Sequence, residues 1–323
     1  LAPALVGLWL AACAGTAEIA PWTGAADASW TPAAASVRPV GLGLPGGARL
    51  EERVRFAGGL ELVLDPASPL HSLSDFRLLD DAAEFVSVTD AGDLVRGRLV
   101  LGRGGALSGL AGLRLRRLTG LDGRPIVDKA AGDAEGLLLS ADGDLYVSFE
   151  REHRIWNYGP LDALAARPAP VRHPDAAFGL NDGMEGIASG RNGGWRVTGE
   201  SGGVWDCSSA RCVVVVAPPE APIADGDYRI TGMDRDPSGE GWFVVQRSYR
   251  PPVDARARVR RMAADGRLGP VLVELKLPGV TDNFEGIAAV AVDGATRLYI
   301  LSDDNGSDTQ RTLLLAFDLA SGD

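Results

Sequence analysis

The sequence predicts an all-β chain folded as a β-propeller of five visible blades, closed by a strand from near the N-terminus. The first observation is a repeated phrase: Asp133-Ala134-Glu135-Gly136-Leu137, Asp182-Gly183-Met184-Glu185-Gly186-Ile187 and Asp282-Asn283-Phe284-Glu285-Gly286-Ile287. Each copy opens a short apolar run, a turn and a second strand-like run. A supersecondary unit recurring about every 50 residues marks a radial β architecture. The second observation is that two weaker copies, Leu73-Ser74-Asp75-Phe76 and Ile230-Thr231-Gly232-Met233, keep the frame and lose the acid.

Taken in order, Leu1 to Ala12 is uncharged and apolar. It is shorter than the about 20 residues of a membrane-spanning helix. It ends in Leu10-Ala11-Ala12-Cys13, which resembles the lipobox of bacterial lipoprotein signal peptides, although the charged segment expected before it is missing. The expectation is export, lipidation of Cys13 and a lipid anchor in the bacterial envelope, facing the periplasm. Residues 14–35, rich in Ala, Thr, Pro and Ser, read as a flexible tether. Residues 36–323 read as the propeller domain.

From Val37 onward the chain is a series of short apolar runs bounded by Gly, Pro and Asp, without a helical period of useful length. Unit one takes Phe76–Leu79, Glu84–Thr89, Leu94–Leu101 and Leu110–Leu118. Unit two takes Gly136–Ser140, Leu145–Phe149 and Arg154–Trp156, and unit three Gly186–Ser189, Trp195–Gly199, Val204–Asp206 and Cys212–Val216. Unit four takes Gly232–Arg235, Trp242–Gln246, Ala257–Met262 and Val271–Leu275, and unit five Gly286–Val292, Arg297–Leu301 and Thr312–Leu319. The last unit is one strand short, and Leu50 to Leu64 supplies strand material ahead of unit one. An N-terminal strand completing the last blade removes two open sheet edges. The alternative count is six blades, the sixth built from Val37 to Leu64.

Thirty-two basic against 43 acidic residues give a net charge of −11, which speaks against a nucleic-acid partner. Cys207 and Cys212 flank Ser208-Ser209-Ala210-Arg211 between two strand-like runs. A hairpin there brings the sulfurs together, and an oxidising compartment lets them bond.

In a propeller the first strand of each blade lines the central channel. Glu135, Glu185 and Glu285 therefore meet at one mouth, with Ser74 and Thr231 at the equivalent places. Asp133, Asp182, Asp282, Asn181 and Asn283 add oxygen atoms. Carboxylates so gathered repel unless a cation or hydrogen bonds hold them. An oxygen-only set suits a hard cation such as Ca²⁺. The opposing reading is that each Glu caps backbone N–H groups at a blade junction, the following Gly permitting a tight turn.

Three further features carry less. Asp303-Asp304-Asn305-Gly306-Ser307-Asp308 reads either as a turn or as a loop able to hold a cation or a polar substrate. Arg256, Arg258 and Arg260 share one strand face, as a phosphate-binding comb or as charge on an outer strand. Gly199-Glu200-Ser201-Gly202-Gly203 fits G-x-S-x-G, but a strand follows it where a nucleophile elbow needs a helix. His71, His153 and His173 show no triad spacing.

Glu185-Gly186-Ile187-Ala188, Leu298-Tyr299-Ile300-Leu301-Ser302-Asp303-Asp304-Asn305 and Thr309-Gln310-Arg311-Thr312-Leu313-Leu314 resemble the phytase-like domain family, the "esterase-like activity of phytase" proteins. The likeness spans Leu60 to Leu319. It departs from the family at Leu73-Ser74-Asp75-Phe76, where Leu-Ser-Gly-Leu is usual. The resemblance implies an exported bacterial propeller with phosphoester or ester hydrolase chemistry. By analogy with propeller phytases, Ca²⁺ is held by Glu135, Glu185 and Glu285, with Asp182, Asp282 and Asn283 beside them. Asp303, Asp304, Asn305 and Arg311 then face a small phosphorylated substrate, and no catalytic base is carried over. The competing class is a non-catalytic envelope propeller that binds a small ligand or a protein.

Overall fold

The computed structural model describes residues 29–79, 82–191, 193–221, 223–224 and 226–321. Five antiparallel sheets form five blades. From the axis outward, blade one is Leu73–Leu78, Glu84–Thr89, Asp93–Leu101, Leu107–Arg117 and Thr31–Pro32. Blade two is Ala134–Leu139, Asp144–Phe149, Arg154–Pro160 and Ala169–Val171, and blade three Gly186–Ser189, Trp195–Thr198, Val204–Cys207 and Cys212–Val216. Blade four is Arg229–Arg235, Trp242–Arg250, Asp254–Met262, Leu268–Lys276 and Ala48–Leu50. Blade five is Asn283–Val292, Ala295–Asp303, Thr312–Leu319, Val54–Val63 and Ser36–Pro39. The innermost strands touch in ring order, blade five packing against blade one.

The ring closes as the strand arithmetic requires. Val54–Val63 is the fourth strand of blade five, with Leu60 opposite Leu314 and Val54 opposite Leu319. There is no sixth blade among the described residues: the Val37 to Leu64 material adds strands to blades five and four. The outer strand of blade two was not anticipated, because Ala169–Val171 has Pro168 before it and Pro170 within it. Cys13 and the segment before it lie outside the described residues. The end of the expected tether runs along blade one instead of standing free: Thr31 pairs with Leu115, and Trp30 lies under Arg114.

The apolar core is divided among the blade junctions. Phe243, Val245, Phe284 and Ile287 fill the space between blades four and five. Phe76, Leu73, Tyr299 and Leu301 do so between blades five and one. Similar clusters centre on Leu137 and Val147, on Ile187 and Trp195, and on Met233 and Trp242. Each such side chain contributes about 1.5–3 kcal/mol on burial, so stability is spread around the ring.

The repeated phrase is a code for a β-bulge. The inner strands slip register at Ser74, Glu135, Thr231 and Glu285, each left without a cross-strand partner. In blade three, Glu185 directly precedes the strand that begins at Gly186. A bulge re-aims its extra side chain, and here it turns one residue per blade to the same mouth. The glycine that follows answers to crowding and makes no turn. A Cβ on Gly232 would stand 2.0 Å from the Glu285 carbonyl oxygen, and one on Gly136 2.6 Å from that of Glu185.

Below the mouth the channel is filled by an ion cluster. The Arg77 guanidinium donates to Asp75 at 2.7 Å and to the carbonyls of Phe76, Ile187, Met233 and Ile287 at 2.6–3.0 Å. Its Nε lies 3.6 Å from Asp234. Asp75 accepts from the Leu137 N–H and Asp234 from that of Ala289. One buried cation thereby reaches all five blades, four directly and blade two through Asp75.

Candidate functional site

The bulges and the ends of the second strands build an acidic mouth. The bulge tier supplies Glu135, Glu185 and Glu285. A second tier comes from the second strands and the residues just past them: Asp90 and Glu150 directly after their strands, Glu200 two residues after, Asp303 at the last position of its strand and Arg247 inside Trp242–Arg250. The register sets this tier level, since Asp90, Glu150 and Glu200 donate their N–H groups to Ser72, Asp133 and Gly183 at the matching ends of the inner strands. Arg229 opposes Arg247 in blade four, and Asn283 opposes Asp303 in blade five.

Burial and mutual repulsion govern the charge state. Burial, then Glu185, Asp133, Glu150 and Glu285, push the Glu135 carboxyl well above its usual range. Burial, then Glu200, Glu285 and Glu150, do the same to Glu185, against a smaller pull from Arg247. Asp303 is raised by burial and by Glu285 and Asp90. Burial takes Glu285 up to about 7, although Arg247 opposes it, and burial with Asp133 and Glu200 takes Glu150 to about 7. The three glutamates of the repeated phrase thus act on one another across blades.

Four cations answer part of this charge. Lys129, on the short helix Lys129–Gly132, contacts Asp133 and lies 3.0 Å from Asp90. Arg151 contacts Asp133. Arg229 holds Asp182 at 2.9 Å. Arg247 lies 2.9 Å from Glu200 and 3.6 Å from Glu285, and also donates to Asn283, which donates to Glu285 at 2.8 Å. Glu150 accepts from the Gly183 N–H at 3.1 Å. Glu135 and Glu185 have no hydrogen-bond or ion-pair partner among the described residues, and Glu185 is only 6% exposed. They cap no backbone N–H.

This donor set fits a hard cation. Oxygens of Asp133, Glu135 and Glu150 lie within 4.8 Å of one another. The set is carboxylate throughout, and Glu135 and Glu185 accept no hydrogen bond and form no ion pair among the described residues.

The remaining expected residues divide. Asp182 is paired to Arg229, and Asp282 to Arg311 at 3.3 Å, and neither falls within the group of Asp133, Glu135 and Glu150 oxygens. Asn283 stays at the mouth. Of the substrate set, only Asp303 joins the acidic ring. Asp304 is saturated by His71 at 2.7 Å, Thr312 at 2.7 Å and the Ser72 and Gly306 N–H groups at 2.9 Å. Asn305 closes its turn at φ 50° and donates to Gln310. Arg311 spans Asp282 and the Thr281 carbonyl.

The arginine comb is charge on a strand. Arg256 pairs with Asp254, Arg258 with Glu274, and Arg260 donates to the Gly269 carbonyl. The G-x-S-x-G match is a hairpin turn with Gly202 and Gly203 at φ 94° and 92°. Cys207 and Cys212 form the expected disulfide. Glu150, Glu200, Asp90 and Arg247 were missed. The signal available was spacing, since Glu150 and Glu200 each follow the phrase glutamate by 15 residues.

A five-bladed propeller with a carboxylate-lined mouth is the class this fold and site define. The chain belongs to the Phytase-like family: the model described as esterase-like activity of phytase matches residues 68–306. No curated protein sequence matches it significantly. Among solved structures it is similar to a protein assigned by family to the gluconolactonases, at 12% identity and TM-score 0.45 over 90% of this chain and 94% of that one. It is also similar to a streptogramin B lyase, at 10% identity and TM-score 0.41 over 83% and 88%. A third is the allergen Mala s 1 of Malassezia sympodialis, at 14% identity and TM-score 0.42 over 82% and 90%.

Proposed function

We propose that the protein is an exported, lipid-anchored propeller hydrolase that cleaves phosphoesters or esters of a small molecule at the acidic mouth, with a hard cation such as Ca²⁺ held there. The observation that carries this reading is the crowding of Glu135 and Glu185, neither with a hydrogen-bond or ion-pair partner among the described residues, beside the Asp133 and Glu150 oxygens. Asp133, Glu135 and Glu150 would hold the cation, with Glu185 next to them. A bound divalent cation supplies charge neutralisation at a phosphoryl or carbonyl oxygen and acidifies a coordinated water.

The chain's own groups do the rest. Arg247, fixed by Glu200, Glu285 and Asn283, presents positive charge beside the acids and orients an anionic group. Glu285, near neutrality in its affinity for protons, can hold a proton for a leaving oxygen at neutral pH. Arg77 closes the channel beneath, so a substrate enters and leaves by the mouth. The same features weigh against a purely binding propeller, for which backbone-satisfied glutamates and an apolar plug are the marks. Export and anchoring rest on the Leu10-Ala11-Ala12-Cys13 motif.

The test is Ca²⁺-dependent thermal stabilisation of the purified protein, run alongside hydrolysis of phytate and p-nitrophenyl esters. Stabilisation in the wild type and its loss in Glu135→Gln are expected. Absence of a metal response, or an unchanged one in Glu135→Gln, removes the metal site.

A further inference from the structure

The five blades differ in how their outer edges end. The edge strands of blades one, four and five are supplied by the N-terminal segment. They are Thr31–Pro32, Ala48–Leu50 with Arg49, and Ser36–Pro39 with Arg38. Blade two ends on the three residues Ala169–Val171, with Pro170 at the centre. Shortness, proline and charge are how sheets discourage strand addition. Blade three has none of these. Its outermost strand, Cys212–Val216, is five residues long, uncharged and free of proline. Val213, Val214 and Val216 are 47%, 54% and 38% exposed.

We infer that this edge is the interface of a homodimer, in which a second copy adds its own Cys212–Val216 strand antiparallel to the first. The inference is independent of the chemistry proposed at the mouth. Three observations favour a copy of this chain as the occupant. The run Val213 to Val216 sets valine against valine when paired with itself, and branched side chains pack well against neighbours on a pleated surface. Opposite charges flank the strand, Arg211 immediately before it and Glu220 beyond Pro218-Pro219. Antiparallel self-pairing lays the Arg211 end of each strand beside the Glu220 end of the other, twice over, as a two-fold interface requires. The Cys207–Cys212 disulfide ties the edge strand to Val204–Cys207, so little order remains to be gained on association. Although the chain carries a net charge of −11, the edge itself carries no charge that would hold two copies apart.

Sedimentation equilibrium of the full chain over a concentration series tests this. The wild type is expected at twice the monomer mass. Val214→Lys, at an exposed position that leaves the fold intact, is expected to be monomeric. Arg211→Glu is expected to weaken association about tenfold, the scale of two exposed ion pairs lost, and Arg211→Glu with Glu220→Arg to restore it. A monomeric wild type overturns the inference. So does a dimer that survives Val214→Lys, or a double variant as weak as Arg211→Glu alone. Circular dichroism of each variant separates these outcomes from unfolding.

Discussion

Asp75 and Arg77 form an ion pair at 2.7 Å on the propeller axis, and Asp75 occupies the register position that is glycine in the other four blades. The two facts belong together. A carboxylate replaces the glycine where it can bridge blade one to the Leu137 N–H of blade two and hold the cation that gathers the other three. The departure of Leu73-Ser74-Asp75-Phe76 from the repeated phrase is therefore a second device on the same frame. Its acid faces the axis below the mouth.

Removing that cation leaves Asp75 and Asp234 buried with backbone donors and no countercharge, a loss of about 3–5 kcal/mol. Arg77→Met is expected to lower the urea midpoint accordingly. Arg77→Lys should recover little, because an ammonium lacks the planar fork that reaches several carbonyls at once. An Arg77→Lys protein unfolding at the wild-type midpoint would show that the five-blade contact is not what stabilises the ring.

The His71–Asp304 pair fastens the entry of blade one to the end of blade five and should give stability a pH window. The hydrogen bond to Asp304 raises His71 above its ordinary 6.5, against a smaller effect of burial. Burial acts to raise Asp304, yet hydrogen bonds from His71, Thr312, Ser72 and Gly306 bring it below 3.8. The His71 contribution is complete below about 6.5 and fades as pH rises through its raised value. The Asp304 contribution is complete above about 3.8 and fades as pH falls through its lowered value. The stability lost in His71→Phe should thus be largest between those limits and shrink above them. A His71 titration midpoint at or below 6.5 by NMR would sink this.

How much of this was legible follows from what each residue answers to. The blade count came from repetition, and the convergence of Glu135, Glu185 and Glu285 came from their common place in the repeat. The fourth strand of blade five was visible as a deficit. The outer strand of blade two was hidden by Pro168 and Pro170, since a strand so short is set by its neighbour and not by its own propensity. Glu150 and Glu200 were hidden because strand ends in a sequence look like turns, and Arg247 because it lies inside a strand. Only the pairing register brings them level with the bulges. Asp182 and Asp282 looked like ligands because nothing local announced Arg229 and Arg311 as their partners.

The glycines of the phrase offer a steric prediction. At Gly232 a methyl group would sit 2.0 Å from the Glu285 carbonyl oxygen, and this is backbone that cannot swing away. Gly232→Ala should cost about 1–3 kcal/mol, the range for overpacking a filled interior. Gly41→Ala, where nothing stands within 4 Å and φ is not positive, should be neutral or slightly stabilising through the unfolded chain. Equal melting temperatures for the two variants would count against a close inner-strand approach.

Glu150 separates repulsion from ligation. It accepts the Gly183 N–H at 3.1 Å, a bond that a glutamine oxygen keeps, while its charge is set against Asp133 and Glu200. Without metal, Glu150→Gln removes one buried negative charge and should stabilise the protein by about 1 kcal/mol, the worth of roughly one pKa unit of relieved repulsion. That gain should grow as pH rises from the ordinary carboxylate range to about 7 and level off above it, where the native carboxyl is ionised. With Ca²⁺ present the order should reverse, because the wild type gains from binding what the variant cannot. The two melting curves are therefore expected to cross as Ca²⁺ is titrated. A variant more stable than wild type at every Ca²⁺ concentration would leave the acids of the mouth as a source of strain alone, with no cation to relieve it.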